Sequence, residues 1–186
     1  VSSVQDPQWN TKFEKIYVGP TLQKTPFFAV LGNHDHRGNS QAQIQYDKQA
    51  MGSKRWRMPG RVFSVDLGQF EKRPLLRFVG LDTTDQDSFD QQALFIRQFF
   101  SPSRSEPIWK MGVGHHPIYS VGSHSPIRPM QTQILPVMKE VKIDLYLAGH
   151  DHNLQLISFP NEPLQIVSGG GGKSLYSIER RSRGLR

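Results

Sequence analysis

The chain has 186 residues, and its 23 lysines and arginines outnumber its 16 aspartates and glutamates, for a formal net charge of +7. This length suits one domain with a substantial core, and no apolar run approaches the roughly 18 residues of a transmembrane helix, so no membrane span is predicted. The sequence contains no cysteine, which excludes disulfides, thiolate ligands and a cysteine nucleophile. Any metal site must therefore use His, Asn, Asp, Glu or Tyr.

Much of the basic excess lies in the C-terminal tail, where Arg180, Arg181, Arg183 and Arg186, set against Glu179, account for +3 of the net charge. A nucleic-acid surface would interleave basic and aromatic residues on one face, and the sequence has no such stripe. It therefore predicts no nucleic-acid partner and only a mild electrostatic preference for anionic small substrates or surfaces.

The N-terminal third predicts a helix, a strand and a second helix. After the cap residue Asp6, four residues at helical spacing predict an amphipathic helix whose aromatic side chains lie in the core: Trp9, Phe13, Ile16 and Tyr17. The continuous apolar run 26–31 predicts a short buried strand. Ser40 is expected to cap a helix that runs to about residue 51 and stops at Gly52.

The middle of the chain predicts two strands and a helix. Residues 61–67 and 75–81 are the predicted strands, and a polar turn at 69–74 joins them. The second strand ends in Asp82, for which a role behind the site or a solvated turn position are both open. Ser88 is expected to cap a helix that Pro102 closes.

The last part of the chain returns to alternating elements. Residues 109–114 predict a strand, 129–141 a helix that Pro136 breaks or restarts, and 143–148 another strand. Two short runs, 154–157 and 164–167, predict a closing pair of strands.

Ligand-type side chains follow three of these apolar runs directly: Asn33, then His115, then His150 and His152. In open α/β sheets the ligand site lies beyond the carboxyl ends of the strands, so these side chains are predicted to converge in one crevice. An amide oxygen with neutral imidazoles suits zinc, iron or manganese, and such a pocket can hold two ions that clamp a phosphoryl group. For His150 and His152 taken alone, two polar loop histidines are an equally weighted alternative.

These motifs resemble signature motifs of the calcineurin-like metallophosphoesterases: Gly32-Asn33-His34-Asp35, Gly114-His115 and Gly149-His150-Asp151-His152. The finer resemblance is to small purple acid phosphatases of the tartrate-resistant type, and it extends over most of the chain. It implies an α/β (α+β) fold, a four-layer sandwich of two mixed β-sheets flanked by helices, in a single domain spanning residues 1–186.

The resemblance also implies the metal ligands. Asn33, His115 and His150 would bind the second metal, and His152 would bind the first, which is ferric iron in purple enzymes. The expected cofactors are two metal ions, iron paired with iron, zinc or manganese.

Three further residues receive roles from the resemblance. His34 is expected outside the ligand shell, where it assists phosphate binding or protonates the leaving group, and Asp35 is expected to orient it. A loop-capping role for Asp35 is compatible with this. His124 falls where the family has a second substrate-facing histidine. His36 and His116 are expected to tune the surroundings.

The sequence departs from the family at both ends. The first two family motifs, which supply an Asp, a bridging Asp and a Tyr, have no match here, and further family strands would follow residues 169–172. The domain is therefore expected to be incomplete at its N-terminus. An N-terminal segment or a companion chain is expected to complete the first metal site, and the isolated chain should hold one weak site.

The function implied is a binuclear acid phosphatase that hydrolyses phosphate monoesters by attack of a metal-bound hydroxide and releases inorganic phosphate. A secreted, periplasmic, vacuolar or lysosomal location goes with that family. Two alternatives stay open, a catalytically silent scaffold with the same fold and a phosphodiesterase of the same superfamily.

Overall fold

The computed structural model describes residues 1–102 and 104–178, so the basic tail lies outside the described residues. Within these residues the strands are β1 (Phe27–Phe28), β2 (Trp56–Arg57), β3 (Phe63–Phe70), β4 (Arg73–Gly80), β5 (Trp109–Val113), β6 (Leu145–Ala148), β7 (Leu154–Ile157) and β8 (Leu164–Ser168). The α-helices are α1 (Ser40–Lys48), α2 (Phe89–Phe99) and α3 (Leu135–Glu140). Short π-helical turns cover Asn10–Glu14 and Met130–Ile134, and 3-10 turns cover Asp35–Arg37 and Gln86–Ser88.

Six strands form one mixed sheet in the order β3-β4-β5-β6-β8-β7. The four inner strands run parallel, while β3 and β7 pair antiparallel at the edges. β1 and β2 form a separate two-stranded parallel sheet. Because β4, β5 and β6 are parallel neighbours, the residues that follow them meet at one edge of the large sheet. The predicted mixed α/β architecture with two sheets and helices is confirmed.

One face of the large sheet carries the main core. Val79, Tyr146 and Val167 project from it and are fully buried, and α2, α3 and the π-helical turn at Met130–Ile134 supply the opposing side chains. Because side chains alternate between the two faces of a strand, every second residue points into this core.

The opposite face of the large sheet is also apolar but much of it is exposed. Cross-strand register places six side chains there, which we call the open face: Leu67, Leu76, Trp109, Leu145, Leu164 and Leu156. The Trp109 side chain is 58% exposed. Contiguous apolar surfaces of this kind mark interaction sites or aggregation-prone regions in other proteins.

The opening helix is shorter than predicted. Trp9 and Phe13 are buried as expected, but Ile16 and Tyr17 are 59% and 42% exposed, so the core position of Tyr17 was wrong. The physical reason is a π-helical turn: the Lys15 N–H donates to the Asn10 carbonyl, five residues back. This wider turn ends the regular spacing before Ile16 is reached.

The strand predicted at 26–31 was wrong in extent. Only Phe27–Phe28 is a strand, and it pairs with β2 rather than with the large sheet. The backbone N–H of Phe27 donates to Arg55 and that of Ala29 to Arg57, so the segment at 55–57 takes up these hydrogen bonds. Leu31 is nonetheless fully buried.

The remaining elements agree with the sequence apart from their ends. Asn39, not Ser40, caps α1 by accepting from the Ala42 N–H. The strands β3 and β4 extend further toward each other than predicted, which leaves a two-residue turn at Glu71 and Lys72. The expected restart at Pro136 is confirmed, because this proline lies in the first turn of α3. Within residues 1–102 and 104–178, no helix combines the length and apolar content needed to cross a bilayer.

Candidate metal centre

Three predicted ligands converge at the carboxyl edge of the large sheet. His115 follows β5, His150 follows β6, and Asn33 lies in the loop after β1. His115 Nε2 is 3.0 Å from Asn33 Oδ1 and 3.1 Å from His150 Nδ1. One oxygen and two nitrogens thus face a common point, although they come from distant parts of the chain.

His116 joins this group, which the sequence had assigned only to the surroundings. Ligand nitrogens of His115, His116 and His150 all lie within 4.8 Å of one another. The Thr83 hydroxyl accepts from the His116 backbone N–H and lies 2.9 Å from His116 Nδ1. With its proton on Nδ1, His116 would donate to Thr83 and present Nε2 to a metal.

The three imidazoles are held neutral. Burial, reinforced by the neighbouring histidines, lowers the pKa of His115, His116 and His150 to about 4 in each case. Removing a cationic imidazole from water and placing it beside other histidines disfavours its charged form. Above pH 5 their lone pairs are therefore free for a metal ion, because the neutral imidazole is the ligand form.

The glycines of these motifs allow the close approach. A Cβ on Gly32 would lie 2.7 Å from His115 Nδ1, closer than van der Waals contact permits. A Cβ on Gly114 would press against the hydroxyl of Tyr146, which is fully buried and donates to the His116 carbonyl at 2.8 Å. Both positions therefore need a residue without a side chain.

The backbone of His150 is left-handed, with φ +67°. This region is uncommon for residues other than glycine, and such conformations cluster at functional sites. The Gly149 N–H donates to the His115 carbonyl at 3.0 Å, which ties the two ligand loops together.

His152 is turned away from this group toward the C-terminal segment. Its ring stacks on Tyr176, with centroids 4.1 Å apart and planes 16° from parallel. Its Nδ1 lies 3.1 Å from the Ser174 carbonyl, and its own carbonyl accepts from the Tyr176 N–H. The structure thus does not place His152 with the other three predicted ligands.

Asp35 holds its own loop rather than His34. One carboxylate oxygen accepts from the Gly32 N–H at 2.8 Å and the other from the Gln43 side-chain amide at 2.5 Å. Among the described hydrogen bonds none joins Asp35 to His34, which is exposed at the start of the 3-10 turn. Asp35 therefore has the loop-capping role that was predicted beside the orienting one, and its effect on His34 stays a prediction.

His124 lies against His150, with ring centroids 4.3 Å apart. Its backbone N–H donates to the buried carboxylate of Asp151, whose other oxygen accepts from the Ser120 hydroxyl. Gln155 on β7 also accepts from the Val121 N–H at 3.0 Å. Sequence reasoning did not predict that these contacts anchor the loop carrying His124. The available signal was Gln155, a polar residue at an inward-facing position of a predicted strand.

A second missed contact joins His36 to Asp82. His36 Nε2 is 2.9 Å from Asp82 Oδ1, and the Asp82 side chain is 1% exposed, so the solvated alternative was wrong. This contact ties the loop that carries Asn33 to the end of β4.

The donor set fits one ion of borderline character such as zinc, iron or manganese. Neutral imidazoles and an amide oxygen are the ligands these ions accept, and the pKa values leave the nitrogens unprotonated. Within the described part of the chain, the cluster of candidate ligands contains histidines and no carboxylate. A second ion would need donors beyond this cluster.

A mixed sheet whose parallel strands are followed by ligand-type side chains defines an α/β protein with a candidate metal site at one edge of that sheet. The chain belongs to the calcineurin-like phosphoesterases, whose family model matches residues 4–154. The resemblance to this family is thereby confirmed.

Relatives over most of the chain are acid phosphatases by name. Purple acid phosphatase 17 of Arabidopsis thaliana is 34% identical over 94% of this chain and 55% of its own length. Tartrate-resistant acid phosphatase type 5 of Sus scrofa is 29% identical over 92% of this chain and 54% of its own length. The chain thus spans about half the length of the curated relatives it matches.

Two solved structures share the fold. One, titled as GAP50, the anchor in the inner membrane complex of Plasmodium, superposes with a TM-score of 0.85 at 24% identity, over 100% of this chain and 62% of that one. The other, purple acid phosphatase PPD1 of yellow lupin, gives a TM-score of 0.60 at 21% identity, over 88% of this chain and 32% of that one. At these identities the likeness establishes the fold alone, and it agrees with the predicted fold class.

Proposed function

We propose that the protein containing this chain is a metal-dependent acid phosphatase that hydrolyses phosphate monoesters with two bound metal ions. The observation that carries the proposal is the convergence of Asn33 Oδ1, His115 Nε2 and His150 Nδ1 on one point. Membership of the calcineurin-like phosphoesterases and the likeness to proteins named purple acid phosphatase support it.

In this proposal Asn33, His115 and His150 hold one ion, with His116 as a further nitrogen donor in reach. His152 serves the other ion, whose remaining ligands come from an N-terminal segment or a companion chain. The ions supply Lewis acidity toward phosphoryl oxygens and lower the pKa of water, and iron paired with iron, zinc or manganese is the expected combination.

The exposed histidines serve the substrate. His34 lies next to Asn33 in sequence and is exposed, so its imidazole can donate a proton to the leaving-group oxygen. His124 packs on His150 and faces the same edge of the sheet, where it can donate to a phosphate oxygen. The net charge of +7 favours the approach of an anionic ester.

The test is metal-dependent release of phosphate from p-nitrophenyl phosphate by the complete protein at acidic pH. Replacing His115→Ala should lower this activity by about 100-fold or more, since even the outer partners of metal ligands contribute 10–100-fold. Leu94→Ala, at an exposed position on α2, is the matched control and should leave the rate unchanged. No metal-dependent release by the wild-type protein would overturn the proposal.

A catalytically silent scaffold is the second candidate, and the orientation of His152 favours it. The His152 ring stacks on Tyr176 and, in the described part of the chain, is not among the imidazoles that cluster as candidate ligands. This candidate expects at most one ion per chain and no hydrolysis, so elemental analysis beside the phosphatase assay separates the two. The same assay with bis-p-nitrophenyl phosphate tests the phosphodiesterase alternative.

A further inference from the structure

The loop of residues 117–124 follows β5 and carries His124. Among the described residues, no backbone–backbone hydrogen bond involves this loop. Pro117 has no N–H and Gly122 has no side chain, so the loop has little tendency to hold one shape by itself. Buried backbone groups must nonetheless find partners, and side chains from the large sheet supply them here.

Two buried glutamines on neighbouring strands hold the loop. Gln165 on β8 accepts from the N–H groups of Ile118 and Tyr119 at 2.7 and 3.0 Å, and it donates to the Tyr119 carbonyl at 2.7 Å. Gln155 on β7 accepts from the Val121 N–H at 3.0 Å. The two glutamines are 2% and 5% exposed. Burying an amide is costly without hydrogen bonds, and the loop backbone provides them.

A chain of hydrogen bonds runs from Gln155 to His124. The Gln155 amide donates to the Ser120 hydroxyl at 3.0 Å, and that hydroxyl donates to one carboxylate oxygen of Asp151. The other Asp151 oxygen accepts from the His124 N–H at 3.0 Å. The loop lies directly on this fully buried carboxylate, since a Cβ at Gly122 would be 2.7 Å from Asp151 Cγ. The position of His124 therefore depends on Gln155 through successive contacts.

The position of His124 matters because its ring lies beside a candidate ligand. The centroids of His124 and His150 are 4.3 Å apart. A side chain that donates to a bound group must be held to within about 0.5 Å of its productive position. A displacement of about 1 Å can lower a rate about 100-fold. A loop without backbone hydrogen bonds of its own gives this precision only if other residues fix it.

We propose that Gln155 is a positioning residue, which fixes His124 at the edge of the candidate metal centre so that its imidazole meets a phosphate group. Gln165 secures the start of the same loop. The contact of His124 with phosphate rests on the proposed function, whereas the fixing of the loop by Gln155 does not. Gln155 itself touches neither substrate nor metal and acts through His124.

The first test measures the loop directly. Gln155→Met removes the amide and keeps the length of the side chain. Amide hydrogen exchange in the complete protein should become about five- to tenfold faster at Val121 and His124, because the loop loses its attachment to β7. Ile157→Ala is the matched control, since it removes a buried apolar side chain from the same face of β7, and it should leave both amides unchanged. Equal acceleration by the two changes would overturn the proposal.

A second variant breaks the same chain of hydrogen bonds on the loop itself. Ser120→Ala removes the hydroxyl between Gln155 and Asp151 without removing a core side chain, and it covers the case in which Gln155→Met does not fold. Exchange at the His124 amide should become faster by a similar factor. An unchanged rate in this variant would also overturn the proposal.

Kinetics with p-nitrophenyl phosphate test whether Gln155 acts through His124. Gln155→Met should lower kcat/KM of the metal-loaded complete protein about tenfold. In a His124→Ala background the same change should lower it less than about twofold, because a positioning residue has no effect once the residue it positions is gone. A purely structural role would give equal losses in the two backgrounds, and that result would overturn the proposal.

The two measurements separate this proposal from the proposed function. If exchange at His124 responds to Gln155→Met and Ser120→Ala but not to Ile157→Ala, while no ester is hydrolysed, the phosphatase proposal fails and the fixing of the loop by Gln155 stands. If the ester is hydrolysed and Gln155→Met behaves like Ile157→Ala, the positioning role fails alone.

Discussion

The low pKa of the clustered histidines sets how metal binding depends on pH. Protons compete with a metal for imidazole, so affinity falls as the pH drops through the pKa of each ligand. For an ordinary histidine that pKa is about 6.5, and each would lower the affinity about 30-fold by pH 5. Because the pKa of His115, His116 and His150 is lowered to about 4, zinc affinity should change little between pH 7 and pH 5.

Competition titrations with a chromophoric chelator at pH 7, 6 and 5 measure this dependence. The chelator's own protonation is the required control. A fall of several hundredfold by pH 5 would contradict the buried, neutral cluster.

Gly32 sets the position of His115 by having no side chain. A Cβ there would stand 2.7 Å from the imidazole, so Gly32→Ala should displace the ring and weaken zinc binding about 10–100-fold. Gly171→Ala is the matched control, because a Cβ at Gly171 has no atom within 4 Å. Zinc titration of the two variants checks the prediction. Equal affinities would show that displacing the His115 ring does not weaken zinc binding.

Sequence reasoning identified candidate ligands that lie together in the structure, but it missed the residues that support them. Asn33, His115 and His150 could be found because each follows an apolar run directly. His116 and its partner Thr83 could not, since their contact depends on β4 and β5 being neighbours in the sheet. The order of strands is a property of the whole fold, and the local sequence does not carry it.

The hairpin of β3 and β4 has an unrelieved strain in its turn. Glu71 and Lys72 have φ of +47° and +66°, the type of two-residue turn that asparagine and glycine fit. Replacing Glu71→Asn with Lys72→Gly should raise the free energy of unfolding by about 1 kcal/mol. Urea unfolding of the pair of proteins measures the gain.

Introducing glycine into a helix should lower the free energy of unfolding, in contrast to glycine in the hairpin turn. Lys48→Gly, in the last turn of α1, should lower the free energy of unfolding by up to about 1 kcal/mol, because the helix backbone there is right-handed. If both changes destabilise, the strain in the hairpin turn is not the controlling factor.

At the level of elements, hydrophobic periodicity predicted most of the strands and helices. It failed where backbone hydrogen bonds set the ends of an element. The run 26–31 is apolar enough for a full strand, yet its backbone groups bond to residues 55–57, so only Phe27–Phe28 qualifies. The spacing of Tyr17 fits a helix, but a π-helical turn ends the helix first. The pattern of polar and apolar side chains predicts neither the short strand nor the π-helical turn.

At the scale of the whole 186-residue chain studied by itself, the open face predicts self-association. Trp109, Leu156 and Leu164 expose apolar surface on one side of the large sheet, and its burial is the driving force for contact. Sedimentation velocity should show an average mass that rises with protein concentration, and Trp109→Lys should reduce the rise. Leu94→Lys, an equivalent change on the exposed side of α2, should not.

The left-handed backbone of His150 has an energetic cost. A residue other than glycine in this region is disfavoured by about 1 kcal/mol, whereas Asn33 and His115 are not among the described residues with positive φ. The fold therefore gives up some stability to hold the imidazole of His150 3.1 Å from that of His115. It does so at one of the three candidate ligands and not at the other two.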